Sequence, residues 1–109
     1  MLENIKLDKV LFLDIETVPS EANFEDLDTT FQKLWEEKTT WQRKEEYTPS
    51  EYYKIKGGIM AEFAKIICIS VGYLFKEKGK NHFRIKSFYG DDEKQIIADF
   101  NTLLNAKFN

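Results

Sequence analysis

A short apolar run that ends in two carboxylates constrains the fold of this chain more than any other feature. Val10-Leu11-Phe12-Leu13 is followed at once by Asp14 and Glu16, with the apolar Ile15 between them. An uninterrupted apolar run of this kind is typical of a central β-strand that is covered on both faces. Side chains two positions apart on an extended strand point to the same side, so we expect both carboxylates to face one point where the strand ends.

The Asp14 and Glu16 carboxylates would repel each other at such a point, and partial burial would cost them hydration. A divalent cation resolves both problems, because Mg2+ and Mn2+ prefer hard oxygen ligands. The pair therefore indicates a metal site. The alternative is a turn at the end of a strand in which both charges are solvated.

A long polar and aromatic segment, residues 21–60, predicts helices. Its first apolar residues recur at helical spacings of three and four, namely Phe24, Leu27, Phe31, Leu34 and Trp35. Pro49 suits the first turn of a short second helix that includes Glu51 to Tyr53. Trp35 is expected in the core. For the other aromatic residues two roles stay open, stacking on nucleic-acid bases or covering the sheet, and these are Trp41, Tyr47, Tyr52 and Tyr53.

A β-hairpin and a closing helix are predicted after this segment. Ile66 to Phe75 alternates between a large apolar face and a small face that contains Ser70 and Gly72, on which a helix is expected to pack. A polar turn leads to a third strand over residues 82–89, so the two strands form an antiparallel hairpin. Asp91 or Asp92 suits the start of a helix, and Asp92 with Gln95 has the spacing of a capping box. The apolar stripe of that helix is Ile96, Ile97, Phe100, Leu103 and Leu104.

Composition limits the classes of function. The 109 residues are enough for one small domain, and a net charge of -3 argues against a protein that coats DNA. Residues 51–86 nevertheless hold eight Lys/Arg and only three Asp/Glu. This excess of positive charge suits a phosphodiester substrate. Alternatively, the lysines protect an exposed hairpin edge from pairing. Cys68 is the only cysteine, and we expect a reduced, cytoplasmic protein without a membrane span or signal peptide.

Several segments together resemble a known family. Phe12-Leu13-Asp14-Ile15-Glu16-Thr17 is similar to the first motif of the DEDD-type 3'-5' exonucleases. Residues 62–72 resemble the second strand of the predicted exonucleases related to family-B DNA polymerases. Phe88-Tyr89 and residues 93–100 resemble the strand end and helix before that family's second motif. The resemblance implies an α/β fold with a ribonuclease-H-like mixed sheet. Residues 1–109 would be the N-terminal portion of one such domain, incomplete, with three strands plus helices and a helical insertion at about 21–60.

The resemblance also implies a chemistry. The family cleaves single-stranded DNA from its 3' end by two-metal phosphodiester hydrolysis with Mg2+ or Mn2+, and RNA is an alternative substrate. Asp14 and Glu16 match the first two of four acidic ligands and are the implied catalytic and metal-binding residues. Ile15 and Thr17 are the implied substrate contacts, although the Thr17 hydroxyl could instead bond its own backbone.

Part of the family pattern has no counterpart here. The third and fourth acidic residues and the general base lie in later motifs, and Asp91, Asp92 and Asp99 fall at or within the closing helix rather than beyond it. We therefore expect negligible turnover from this chain alone. The alternative function is a non-catalytic module for nucleic-acid or protein binding. An open sheet edge left by the missing strands would favour self-association of such a module.

Overall fold

The computed structural model describes residues 2–108, which form two compact units. One unit is residues 17–65, and the other contains the described residues before 17 and after 65. The helices and strands are β1 (Leu11–Pro19), α1 (Thr29–Arg43), α2 (Pro49–Lys56), β2 (Ala64–Glu77), β3 (Lys80–Tyr89) and α3 (Glu93–Phe108). Short 3-10 turns cover Leu2–Asn4, Leu7–Lys9, Phe24–Asp26 and Ala61–Phe63. The expected α/β class is confirmed. Among the described helices, none has the length and apolar character needed to cross a membrane.

The three strands form one antiparallel sheet in the order β1-β2-β3. The predicted hairpin is confirmed, because β2 pairs with β3 in antiparallel register, with Ser70 opposite Ser87 and Gly72 opposite Ile85. A mixed sheet would need a parallel strand, and residues 2–108 contain none. In the part of the chain that the structure describes, β1 therefore lies at one edge of the sheet and β3 at the other.

The first strand differs from its prediction in two respects. It continues past the carboxylates to Pro19, so Asp14 and Glu16 lie in the middle of the strand rather than at its end. The expectation of a central strand covered on both faces is wrong for the described residues, since Phe12 and Leu13 are 52% and 51% exposed. The reason is that β1 is an edge strand and helix α3 packs on only one side of the sheet.

Helix α3 covers the large apolar face of β2. Their shared core consists of Ile69, Val71, Tyr73 and Ile96, and the partly buried residues around it are Leu11, Ile66, Phe75, Phe88, Phe100, Leu103 and Phe108. For α3, the prediction that a helix would pack on the small face is wrong. On that face the space above Gly72 is taken by Phe83 of the same hairpin, whose ring would lie 2.6 Å from an added Cβ atom.

The opposite side of the sheet, which we call the open face, is the side that α3 does not cover. The hairpin register places on it Cys68, Ser70, Gly72, Leu74, Phe83, Ile85, Ser87 and Tyr89. Phe83, Ile85 and Tyr89 are exposed large apolar side chains. The Ser70 and Ser87 hydroxyls are 2.8 Å apart and hydrogen-bonded across the strands.

The unit formed by residues 17–65 has a separate aromatic core. It consists of Phe24, Leu27, Trp35, Tyr52, Tyr53 and Phe63, with Met60 packed against it. Phe24 and Leu27 precede the helix, because the Asp28 carboxylate accepts a hydrogen bond from the Phe31 N–H (2.9 Å) and caps α1 there. The predicted apolar stripe therefore contributes to the core, but only part of it is helical.

Helix α2 begins where the local sequence predicts. The Thr48 hydroxyl accepts a hydrogen bond from the Glu51 N–H, and the Glu51 carboxylate accepts one from the Thr48 N–H, which together form a capping box. Pro49 occupies the first turn, as expected. The Pro49 carbonyl also accepts a hydrogen bond from the Trp35 indole N–H (2.9 Å), so the same turn joins α2 to α1.

The start of helix α3 has a local cap and a long-range one. Asp92 accepts a hydrogen bond from the Gln95 N–H (3.2 Å), as predicted, whereas the Gln95 amide donates to Asp99. Glu93, in the first turn of α3, accepts a hydrogen bond from the Ile66 backbone N–H at 2.6 Å. This charge-assisted bond joins the beginning of α3 to the beginning of β2.

Candidate metal site on strand β1

The carboxylates of Asp14 and Glu16 belong to the open face of the sheet. Leu11 packs into the core under α3, whereas the ring of Phe12 contacts Phe83 of the open face, with centroids 5.8 Å apart. Because side chains alternate along a strand, positions 14 and 16 lie on the same side as Phe12. The predicted arrangement of two carboxylates on one side of one strand is what β1 presents.

Both carboxylates are exposed and unpaired. Within residues 2–108, neither Asp14 nor Glu16 forms a hydrogen bond or an ion pair. The only ion pair among these residues joins Lys38 to Glu62, in the unit of residues 17–65. Nothing in the described residues therefore offsets the repulsion of two like charges on adjacent same-side positions, about 6.7 Å apart along the strand.

Two carboxylates make a minimal ligand set. Their oxygen chemistry fits Mg2+ or Mn2+, with water completing the coordination. A group of three Asp, Glu, His or Cys side chains that could hold a metal does not occur in the described part of the chain. Asp14 and Glu16 could thus hold one cation weakly, and a second metal would need further acidic ligands.

The two implied substrate contacts have different surroundings. Ile15 alternates with the carboxylates and points to the side of the sheet that α3 covers, although it is 45% exposed. The Thr17 hydroxyl donates a hydrogen bond to the Gly58 carbonyl oxygen rather than to its own backbone. Gly58 allows that approach, because a Cβ atom there would lie 3.1 Å from the Pro19 ring.

Two polar residues outside the site have contacts elsewhere. Glu62 pairs with Lys38, and this hydrogen bond holds the pKa of the Glu62 carboxyl below its usual value. His82 stacks on Phe75 with ring centroids 5.3 Å apart. Because side chains alternate along a strand, this stack lies on the side of the sheet that α3 covers. The structure therefore does not bring His82 to the face that carries Asp14.

The aromatic residues of 17–65 separate into core and surface. Tyr52 and Tyr53 are buried against Trp35 in the core of the 17–65 unit, so their rings are not exposed for stacking on bases. Trp41 is 90% exposed, and Tyr47 is exposed while its ring contacts Tyr52. Of the four undecided aromatic residues, only Trp41 presents most of its surface to solvent.

Comparisons with known proteins do not place this chain in a family. A scan against protein-family models matched no family, and searches of curated proteins and of solved structures found no significant match. The resemblance to the DEDD-type exonucleases therefore has its support in the chain's own residues, above all in Asp14 and Glu16 on one side of β1.

Proposed function

We propose that this chain is the N-terminal portion of a ribonuclease-H-like 3'-5' exonuclease domain, which hydrolyses single-stranded DNA from its 3' end with Mg2+ or Mn2+. The observation that supports this most directly is the pair of exposed, unpaired carboxylates, Asp14 and Glu16, on one side of β1. Repulsion between two such carboxylates is relieved by a bound divalent cation, and a cation can in turn bind a phosphodiester oxygen.

The residues present would supply part of a two-metal site. Asp14 and Glu16 would be the residues of this chain that hold the cations. Bound cations would supply Lewis-acid stabilisation of the phosphate and a nucleophile of lowered pKa. Because residues 2–108 supply no third acidic ligand in the same cluster, we expect cation binding without appreciable turnover.

Manganese titration tests the metal site directly. Mn2+ should bind with a dissociation constant of about 1 mM, the weak end of the range for oxygen-ligand sites. In two-dimensional NMR spectra the paramagnetic ion should broaden the amide signals of residues 13–17 first, and excess Mg2+ should restore them. The double variant Asp14→Asn/Glu16→Gln should lose this broadening, because neutral amides leave no charge to attract the ion.

The control for that titration is Glu45→Gln/Glu46→Gln, which removes two neighbouring carboxylates that are exposed in the turn after α1. This variant should broaden at residues 13–17 as the unmodified protein does. Broadening that persists in Asp14→Asn/Glu16→Gln, or that is spread evenly over the acidic surface, would contradict the metal assignment.

A second candidate function is a non-catalytic interaction module, and the exposed outer edge of β1 favours it. In the described residues β1 pairs only with β2, so its other edge presents free backbone donors and acceptors beside exposed apolar side chains such as Leu13. Edges of this kind pair readily with another strand. Self-association of two copies through β1 would complete such a module.

Sedimentation velocity over a range of concentrations distinguishes this second candidate. If β1 pairs between copies, the unmodified protein should form a dimer as concentration rises, and Leu13→Lys should remain monomeric, because a lysine on an edge strand opposes pairing. Ile59→Lys, which places the same charge on an exposed residue of the 17–65 unit, should dimerise normally. A monomer at every concentration would exclude the self-association proposal.

A further inference from the structure

A groove lies between strand β3 and helix α3, on the side of the sheet away from Asp14 and Glu16. Its volume is about 470 Å3. The apolar lining includes Tyr73, Phe88 and Leu103, and the residues of this β3–α3 groove that carry positive charge are Arg84, Lys86 and Lys107. Tyr73 is buried and Phe88 and Leu103 are half-buried, so these side chains form the floor while the cations form the rim.

The positive residues come from two different elements. Tyr73 lies opposite Arg84 and Val71 lies opposite Lys86 in the hairpin, which places both cations on the side of the sheet that α3 covers. Lys107 reaches the same groove from the last turn of α3. Lysines that protect an edge strand from pairing lie on that strand itself. This cluster also includes a cation from helix α3, so protection of the edge does not account for all of it.

None of these three cations is neutralised by a carboxylate among the described residues. Arg84 lies over the Phe75 ring, 5.0 Å from its centroid, and Lys86 lies over the Phe88 ring at 5.2 Å. Asp99 lines the groove but accepts a hydrogen bond from Gln95 instead. The groove is therefore a positive surface with an aromatic lining in a protein whose net charge is -3.

We propose that the β3–α3 groove binds single-stranded nucleic acid, with phosphates at Arg84, Lys86 and Lys107 and bases against the apolar floor. Proteins that bind single strands combine a positive groove with aromatic side chains, which is the combination found here. This binding goes beyond the proposed hydrolysis, because the groove faces away from the two carboxylates and needs no metal ion. It would hold a strand at a second contact surface.

Fluorescence anisotropy with a labelled oligothymidylate of about 12 nucleotides, a length within the range bound by single-strand sites, tests this groove. Measurements are made in EDTA between about 50 and 200 mM salt, so that cation binding at β1 makes no contribution. Arg84→Glu/Lys86→Glu should weaken binding about tenfold or more at the lowest salt. Each phosphate contact on a single strand contributes about 0.7 to the slope of log affinity against log salt, so the slope should fall by about 1.4.

Three further measurements make the outcome decisive. Lys33→Glu/Lys94→Glu changes the net charge equally at exposed lysines outside the groove and should leave the affinity within about twofold, since only local phosphate contacts matter. Asp14→Asn/Glu16→Gln should bind the oligonucleotide at least as well as the unmodified protein, even if the metal site proves absent. Each of three results would overturn the proposal. They are an equal loss of affinity in the groove and control variants, no binding at low salt, and equally tight binding of a polyglutamate peptide of matched charge.

Discussion

Replacing Trp35 with alanine is expected to destabilise the unit of residues 17–65 by about 3–5 kcal/mol. Trp35 is 0% exposed, and its ring meets those of Phe63 and Tyr53 edge to face, with centroids 4.9 and 5.3 Å apart. Its indole N–H also donates to the Pro49 carbonyl, which would lose this partner. A loss of this size is a large part of the about 5–15 kcal/mol that stabilises an ordinary domain.

Urea denaturation followed by far-ultraviolet circular dichroism measures this effect, since the signal does not depend on the indole itself. The matched control is Trp41→Ala in the same helix, because Trp41 is 90% exposed and its removal should change the free energy of unfolding by no more than about 0.5 kcal/mol. Similar denaturation midpoints for the two variants would show that Trp35 is not the centre of this core.

Local signals in the sequence predict the ends of helices well. The expectation that Pro49 lies in the first turn of α2 is confirmed, and the same turn holds a capping box of Thr48 and Glu51. Asp92 likewise begins α3. Such contacts involve residues three apart in the chain, so their geometry follows from backbone conformation alone.

Packing of one element on another is predicted less well. The alternation of β2 correctly separates a large apolar face from a small one, but it does not say which face a helix covers. We expected the small face, which contains Gly72. The structure places α3 on the large face, because more apolar area is buried there and Phe83 already fills the space above Gly72.

In the candidate site, too, the features that depend on neighbouring residues are predicted from the sequence, and the contacts between distant residues are not. The period of a strand is enough to predict that Asp14 and Glu16 share one side of β1, and they do. The hydrogen bond from Thr17 to Gly58 joins positions 41 residues apart, and no local pattern announces it. No local pattern predicts the β3–α3 groove either, since Lys107 and Arg84 line the same groove only when α3 is packed on the sheet.

Ile96→Ala is expected to destabilise the unit that carries the sheet by about 2–5 kcal/mol. Ile96 is 3% exposed and packs with Val71 and Tyr73 of β2, and Leu11 of β1 lies against the same core. Shortening this side chain leaves a cavity between helix and sheet that rigid neighbours fill only in part. Urea denaturation by circular dichroism measures the loss in the free energy of unfolding.

The adjacent residue provides the control that separates core packing from helix propensity. Ile97 is 37% exposed, so Ile97→Ala makes the same chemical change one position along α3 and should cost less than about 1 kcal/mol. Amide hydrogen exchange adds a local readout, because opening of this core should speed exchange in β2 at Val71 and Tyr73 in Ile96→Ala but not in Ile97→Ala. Equal destabilisation by the two variants would mean that α3 does not hold the sheet through Ile96, and the large face of β2 would then need another cover.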